Sequence, residues 1–152
     1  MNSDFTIQIV SWADAQHDLT ALRTQVFMHE QQVSAADEWD GKDSDAAHII
    51  AHTADGSAVG CARILVEMHA NQLCCHIGRV AVLKNQRNKG LGVGIMNSAL
   101  TWCRQQHPSN AIFLHAQTDR IAFYQRLAFV SQGAVFIDAG IPHIEMWYKN
   151  IK

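Results

Sequence analysis

The sequence has no surplus of positive charge. Its 12 Lys and Arg stand against 14 Asp and Glu, for a formal net charge of −2 and a pI near 6.5. A general nucleic-acid binder needs a basic excess for its phosphate contacts, so that class is set aside. No apolar run approaches the ~18 residues of a membrane span. The opening MNSDFTIQIV has no basic n-region and carries Asp4, so it is not expected to be a signal peptide. Repeats, low-complexity stretches and linkers are also lacking. The four cysteines, Cys61, Cys74, Cys75 and Cys103, include no C-x-x-C pair, which leaves neither a disulfide framework nor a zinc knuckle. A reduced cytoplasm is the expected compartment.

What is present is an ordinary globular composition, 48% hydrophobic and 17% charged over 152 residues. One domain over 1–152 is expected; a chain of this length buries roughly 68–70% of its unfolded surface. The outlying count is nine histidines.

Residues 5–10 (FTIQIV) alternate like a strand with one solvated face. Ser11 and Asp14 have the spacing of a weak capping box. Leu19, Leu22, Val26, His29 and Val33 then recur at three- and four-residue steps, predicting an amphipathic helix. Residues 34–45 read as a polar, acidic loop. Strands are predicted at Ala46–Ala51, Ala58–Met68 and Leu73–Val82, separated by the turns Asp55-Gly56-Ser57 and His69–Gln72, an antiparallel meander. Leu91, Ile95, Ala99 and Trp102 form a helical stripe that His107 and Pro108 stop. Ala111–Ala116 reads as a strand buried on both faces. Ile121, Tyr124 and Leu127 mark a short helix, and strands at Val130–Ile137 and His143–Lys149 close the chain. The order β-α-βββ-α-β-α-ββ is an α+β (mixed α/β) sandwich around one sheet.

The most informative stretch runs from Arg79 to Leu100, a strand passing through a tight loop into a glycine-rich first helical turn. Early helical N–H groups lack internal partners and carry the positive end of the macrodipole. Glycines admit a phosphate close to them. A Walker A loop fails, because Gly94 is followed by Ile95 and Met96. A dinucleotide fingerprint fails too: Ile95 stands where a third glycine is needed, and the next strand ends in His115-Ala116 rather than an acid.

Arg87-Asn88-Lys89-Gly90-Leu91-Gly92 fits R/Q-x-x-G-x-G/A, and here the sequence resembles the GNAT superfamily of N-acetyltransferases, whose loop binds the acetyl-CoA pyrophosphate. Further segments resemble its small bacterial ElaA-like branch: Leu22–Gln31, the acidic stretch with Asp40 followed by His48, Gly78–Val82, Ala116–Phe129 and Gly140–Met146. The resemblance implies a central, mostly antiparallel sheet splayed in the middle, between strands at 74–82 and 111–116, with helices on both faces. It implies pantetheine pairing near Val80, Ala81 and Val82, and pyrophosphate on the amides of Arg87, Asn88, Lys89, Gly90, Leu91, Gly92, Val93 and Gly94. Lys84, Arg87 and Lys89 stand close to the phosphates in sequence. Gln117 stands where many relatives carry a cofactor-contacting asparagine.

The activity so implied is direct transfer of an acetyl or other acyl group from acetyl-CoA to an amine, on a small molecule or a peptide. Tyr124, in F-Y-x-x-L, takes the general acid's position; a phenol with pKa near ~10 stays protonated at neutral pH and can donate to a thiolate. Glu30 and His143 are candidate bases, lying in stretches that resemble the branch's motifs. His76 and His115, on the strands flanking the cleft, are weaker candidates. Ala128 replaces the glycine usual in L-G-F and would cost on the order of 1 kcal/mol in a left-handed conformation. Asp37, Glu38, Asp40, Asp43 and Asp45 face a single Lys42, which would favour a cationic acceptor if they border the cleft. Dimers are common in the superfamily, so a homodimer is compatible.

No metal is expected. His69, Cys74, Cys75 and His76 are the best metal-like cluster, but adjacent cysteines point to opposite sides of a strand. His48 and His52, four apart, lack the glutamate of an H-E-x-x-H pattern. The rival functional reading is a non-catalytic acyl-CoA-binding sensor or interaction module.

Overall fold

The computed structural model describes residues 4–149. The chain runs β1 (Phe5–Val10), α1 (Trp12–Arg23), a π-helical segment (Thr24–Glu30), α2 (Ala35–Glu38), β2 (Ala47–Thr53), β3 (Ala58–His69) and β4 (Gln72–Val82). It continues through α3 (Leu91–Gln106), β5 (Ala111–Gln117), α4 (Ile121–Gln125), β6 (Phe129–Asp138) and β7 (Ile141–Tyr148). The mixed α/β order expected from the sequence is found with one addition: α2, a single turn capped by Ser34, lies within 34–45, where a loop was expected.

Seven strands form one sheet in the order β1-β2-β3-β4-β5-β7-β6. Neighbours are antiparallel except β4 and β5. A parallel pair needs a long crossover, and α3 provides it. The β4–β5 pairing stops at Ile77 and Leu114. Beyond it β5 turns to β7, with Gln117 opposite His143, while β4 continues beside β3 to Val82. The sheet therefore splays at its centre, as the resemblance implied.

The two faces carry separate cores. On one, Ile95, Met96, Ala99 and Cys103 of α3 pack on Ile49, Ile64, Ile77 and Leu114. On the other, Leu19 and Leu22 of α1 with Val26 and Phe27 cover Ile50, Cys61 and Ala81. Each fully buried aliphatic chain contributes roughly 1.5–3 kcal/mol.

Helix α1 begins at Ser11, whose Oγ accepts the Asp14 N–H at 3.2 Å. The predicted amphipathic helix does not continue evenly to Val33. It widens after Arg23, and Gln31 N–H donates to the Val26 carbonyl five residues back. The wider turn buries the consecutive Val26 and Phe27 and leaves His29 exposed, off the stripe where the three-and-four spacing put it. In α3, Cys103 takes the buried place expected of Trp102.

Candidate functional site

The splay opens a cleft of about 430 Å³. Its walls are the diverging ends of β4 and β5, the π segment, the glycine loop, α4 and the start of β7.

At one end lies the start of α3. Gly90 caps it with φ +81°, and Asn88 two residues earlier has φ +64°. Both lie in the left-handed region, which a glycine enters without steric cost. The amides of Leu91, Gly92 and Val93 belong to the first helical turn, which has no intrahelical acceptors. Gly94 departs from the expectation: its N–H already donates to the Gly90 carbonyl at 3.1 Å. A Cβ there would sit 2.8 Å from Ile7 Cδ1, so this glycine serves close packing of α3 on β1. At Gly92 an added Cβ would meet Phe123 Cζ at 3.3 Å, a narrow gap beside the cleft. Lys84 lies in a 3-10 turn (Lys84–Gln86), and Lys89 Nζ donates to Gln86 Oε1.

Arg87 and Glu30 meet face to face. Arg87 Nη1 and Nη2 donate to the two Glu30 carboxylate oxygens at 2.6 and 2.8 Å, while its Nε donates to the Val82 carbonyl. The Arg87 hydrogen bonds hold the Glu30 carboxyl below its usual range, against a smaller opposing effect of burial. Glu30, a candidate base from the sequence, is thus paired with a guanidinium beside the glycine loop.

The long edge of β4 contains a bulge. Between Cys61 and Arg63 the register with β3 slips, and Arg79 takes φ +50°, a strained conformation for a branchless but bulky residue. Its guanidinium is anchored across the cleft wall: Nη2 donates to the Glu38 carbonyl at 2.9 Å and reaches Asp40 Oδ2 at 3.4 Å. Two more arginines complete the network. Arg23 Nε donates to Glu38 Oε2 at 2.7 Å and its Nη1 to Asp43 Oδ1 at 2.6 Å. Arg63 binds Asp40 through two parallel bonds of 2.9 Å and adds Asp43 Oδ1 at 3.1 Å. Burial alone would raise the Asp40 carboxyl, but the Arg63 hydrogen bond and charge outweigh it and hold the group well below the usual range. The acidic stretch thus spends Glu38, Asp40 and Asp43 on Arg23, Arg63 and Arg79. Of this stretch, Asp37 and Glu38 line the cleft. The sequence reading missed the network because its arginines stand 15 to 41 residues from the acids they bind, on α1, β3 and β4.

Tyr124 belongs to α4. It lines the cleft at 9% exposure, and burial pushes its phenol up to about 12. His143 is half-buried on the cleft wall, and its Nδ1 donates to the Ile141 carbonyl at 2.7 Å, so Nε2 is the nitrogen that this bond leaves unused. Its ring stacks near Phe136 at 5.9 Å. Gln117 Nε2 donates to Gln31 Oε1 at 2.9 Å, joining β5 to the end of the π segment. His76 and His115 both face the cleft, with ring centroids 5.1 Å apart. Ala128 does take a left-handed φ, +72°.

The metal-like groupings read from sequence spacing do not assemble. Cys74 Sγ donates to the His69 and Gln72 carbonyls, and Cys75 lies in the α3-side core. His48 is buried with Nε2 on the Asp43 carbonyl, whereas His52 faces Asp18. Among the described residues, no helix is long and apolar enough to cross a membrane.

Known proteins share this architecture. Residues 13–149 match the family model described as "Acetyltransferase (GNAT) domain". An uncharacterized N-acetyltransferase of Bacillus subtilis, YjcF, is 32% identical over 85% of this chain and 89% of its own. Protein ElaA of Escherichia coli is 31% identical over 91% of this chain and 95% of its own. The crystal structure of ElaA superposes with a TM-score of 0.83 at 30% identity, covering 95% of this chain and 99% of that one. An acyl-CoA N-acyltransferase from Pseudomonas aeruginosa reaches 0.84 at 30% identity, with the same coverage. With the splayed sheet and the glycine-rich start of α3, these matches lead to one conclusion: the chain belongs to the GNAT family of acetyltransferases.

Proposed function

We propose that the protein is a single acyl-CoA-dependent N-acyltransferase domain, moving an acetyl or related acyl group from acetyl-CoA to an amine by direct transfer. The observation that carries this reading is the continuity of the cleft. An edge of β4 without a β5 partner runs from Gly78 to Val82 along the same cleft as the uncommitted amides of α3, and Tyr124 lines that cleft.

The residues present fit the donor. The left-handed Asn88 and Gly90 leave the amides of Leu91, Gly92 and Val93 exposed to an anion, and the helix dipole adds to their pull. Arg87 joins them by exchanging the Glu30 carboxylate for a phosphate, since its fork suits either partner. The free edge of β4 offers backbone groups to an amide-bearing chain, as a neighbouring strand would. When bound, acetyl-CoA supplies an activated thioester, and its sulfur leaves as a thiol.

Tyr124 holds the proton that the departing sulfur needs. Its raised pKa keeps the phenol protonated across the neutral range. His143 Nε2 takes the proton that the amine must lose, directly or through water. N–H groups of β4 around Val80–Val82 stabilise negative charge on the carbonyl oxygen. Gln117 fixes the opposite wall through Gln31. Four buried, unbridged cysteines fit a reducing cytoplasm. The acceptor is an amine on a small molecule or peptide.

The test is free-thiol release from acetyl-CoA over a panel of amines and peptide N-termini. Amine-dependent release supports the proposal. Binding of acetyl-CoA without release for any amine would instead favour the non-catalytic acyl-CoA sensor.

A further inference from the structure

Three side chains far apart in sequence converge where β3 ends beside β5 and β7. His69 Nε2 lies 2.7 Å from Glu145 Oε1, and His115 Nε2 lies 3.1 Å from the same oxygen. The three ligand-capable atoms fall within 4.8 Å of one another. We propose that His69, His115 and Glu145 form a binding site for a borderline divalent transition-metal ion such as Zn²⁺, with one or two coordination positions left to water or ligand.

Local structure aims each donor. His69 is the last residue of β3, set by a tight turn in which Ala70 and Asn71 both have positive φ. Its ring lies flat on Phe113 at 4.0 Å and 14°, which fixes its plane. His115 and Glu145 are direct cross-strand partners on β5 and β7, so they share one face of the sheet. The His115 ring meets Phe136 edge-on at 5.0 Å. The second carboxylate oxygen of Glu145 accepts the Trp147 indole N–H at 2.9 Å, the kind of outer hydrogen bond that orients a metal-binding carboxylate. His76, though close, is committed through Nδ1 to Glu67 at 2.8 Å.

The donor set selects the ion. Two imidazoles and one carboxylate suit Zn²⁺ and its neighbours, whereas Ca²⁺ and Mg²⁺ require shells of oxygen. Bonds of about 2.0–2.1 Å in tetrahedral geometry separate the donors by about 3.3 Å, so the 2.7 and 3.1 Å separations at Glu145 Oε1 would each open slightly around an ion. All three residues are half-buried, which leaves a path for entry. His115 also lines the central cleft. The sequence reading expected no metal because positions 69, 115 and 145 share no local spacing.

Chelator-stripped protein should be titrated with Zn²⁺ by calorimetry and with Co²⁺ by visible absorption. One equivalent is expected to bind, with Co²⁺ ligand-field bands of a four- or five-coordinate site. His115→Ala and Glu145→Gln should each weaken binding at least tenfold, while His29→Ala, at an exposed position, should leave it unchanged. Thermal melts without metal check that the variants fold; His69→Gln, at the end of the hairpin, replaces any that does not. Absence of stoichiometric binding and of Co²⁺ bands, or one-to-one binding that survives these substitutions, would overturn the proposal. None of these readouts depends on acyl transfer.

Discussion

The two ends of the cleft are built in opposite ways. The donor end comes mostly from one contiguous stretch, Arg87–Val93, whose glycines and helix start hold their chemistry in local backbone geometry. The other end is assembled from β5, α4 and β7, and its side chains acquire meaning only through contacts such as His143 with Ile141 and Gln117 with Gln31. Local geometry is visible in a sequence; tertiary convergence is not. On the proposed reading, the donor end rests mainly on local backbone geometry, while the other end depends on several elements holding register together.

The sharpest way to separate the ends is Tyr124→Phe. Loss of the phenolic proton is expected to lower turnover on the order of 10²-fold or more, with acetyl-CoA affinity unchanged within a few-fold, as read by thiol release and calorimetry side by side. Retained turnover would remove Tyr124 as the acid.

Glu30→Gln acts on the donor end alone. Freeing Arg87 and removing a carboxylate near the phosphates should tighten acetyl-CoA binding roughly two- to fivefold, about what loss of an exposed ion-pair competitor is worth. Turnover should persist. Its collapse at unchanged affinity would assign Glu30 the role of base.

The arginine–carboxylate network behind the β4 bulge has its own signature. Asp40 and Asp43 are depressed in the folded state, so the stability they confer is complete above their unfolded pKa of about 3.9 and is lost as pH falls below it. Urea unfolding of the wild type should therefore show stability falling below about pH 4. Asp40→Asn should flatten that fall; an unaltered slope would deny Asp40 its part.

The smallest effect lies outside both ends. At Ala128, φ +72°, glycine relieves left-handed strain but gains entropy in the unfolded chain, so Ala128→Gly is expected to stabilise by roughly 0.5 kcal/mol. A destabilisation in thermal melts would show that the methyl group contributes packing.

Much of this was legible in the sequence where one short segment sufficed. Ser11 caps α1, the turns at Asp55–Ser57 and His69–Gln72 separate strands, and Gly90 begins α3 with a positive φ. The rest depended on partners that sequence spacing does not display. Gly94 looks like part of the anion loop, yet its role is set by Ile7 of β1. The acid-rich stretch looks like an open charged surface until Arg23, Arg63 and Arg79 arrive from other elements. His29 drops from the helical stripe because the π widening advances the register by about one residue.

Calorimetric titration of the purified protein with acetyl-CoA tests the central claim most directly. Saturable one-to-one binding, with ATP and NAD⁺ giving none, is the predicted result. Binding of ATP or NAD⁺ with no binding of acetyl-CoA would contradict it.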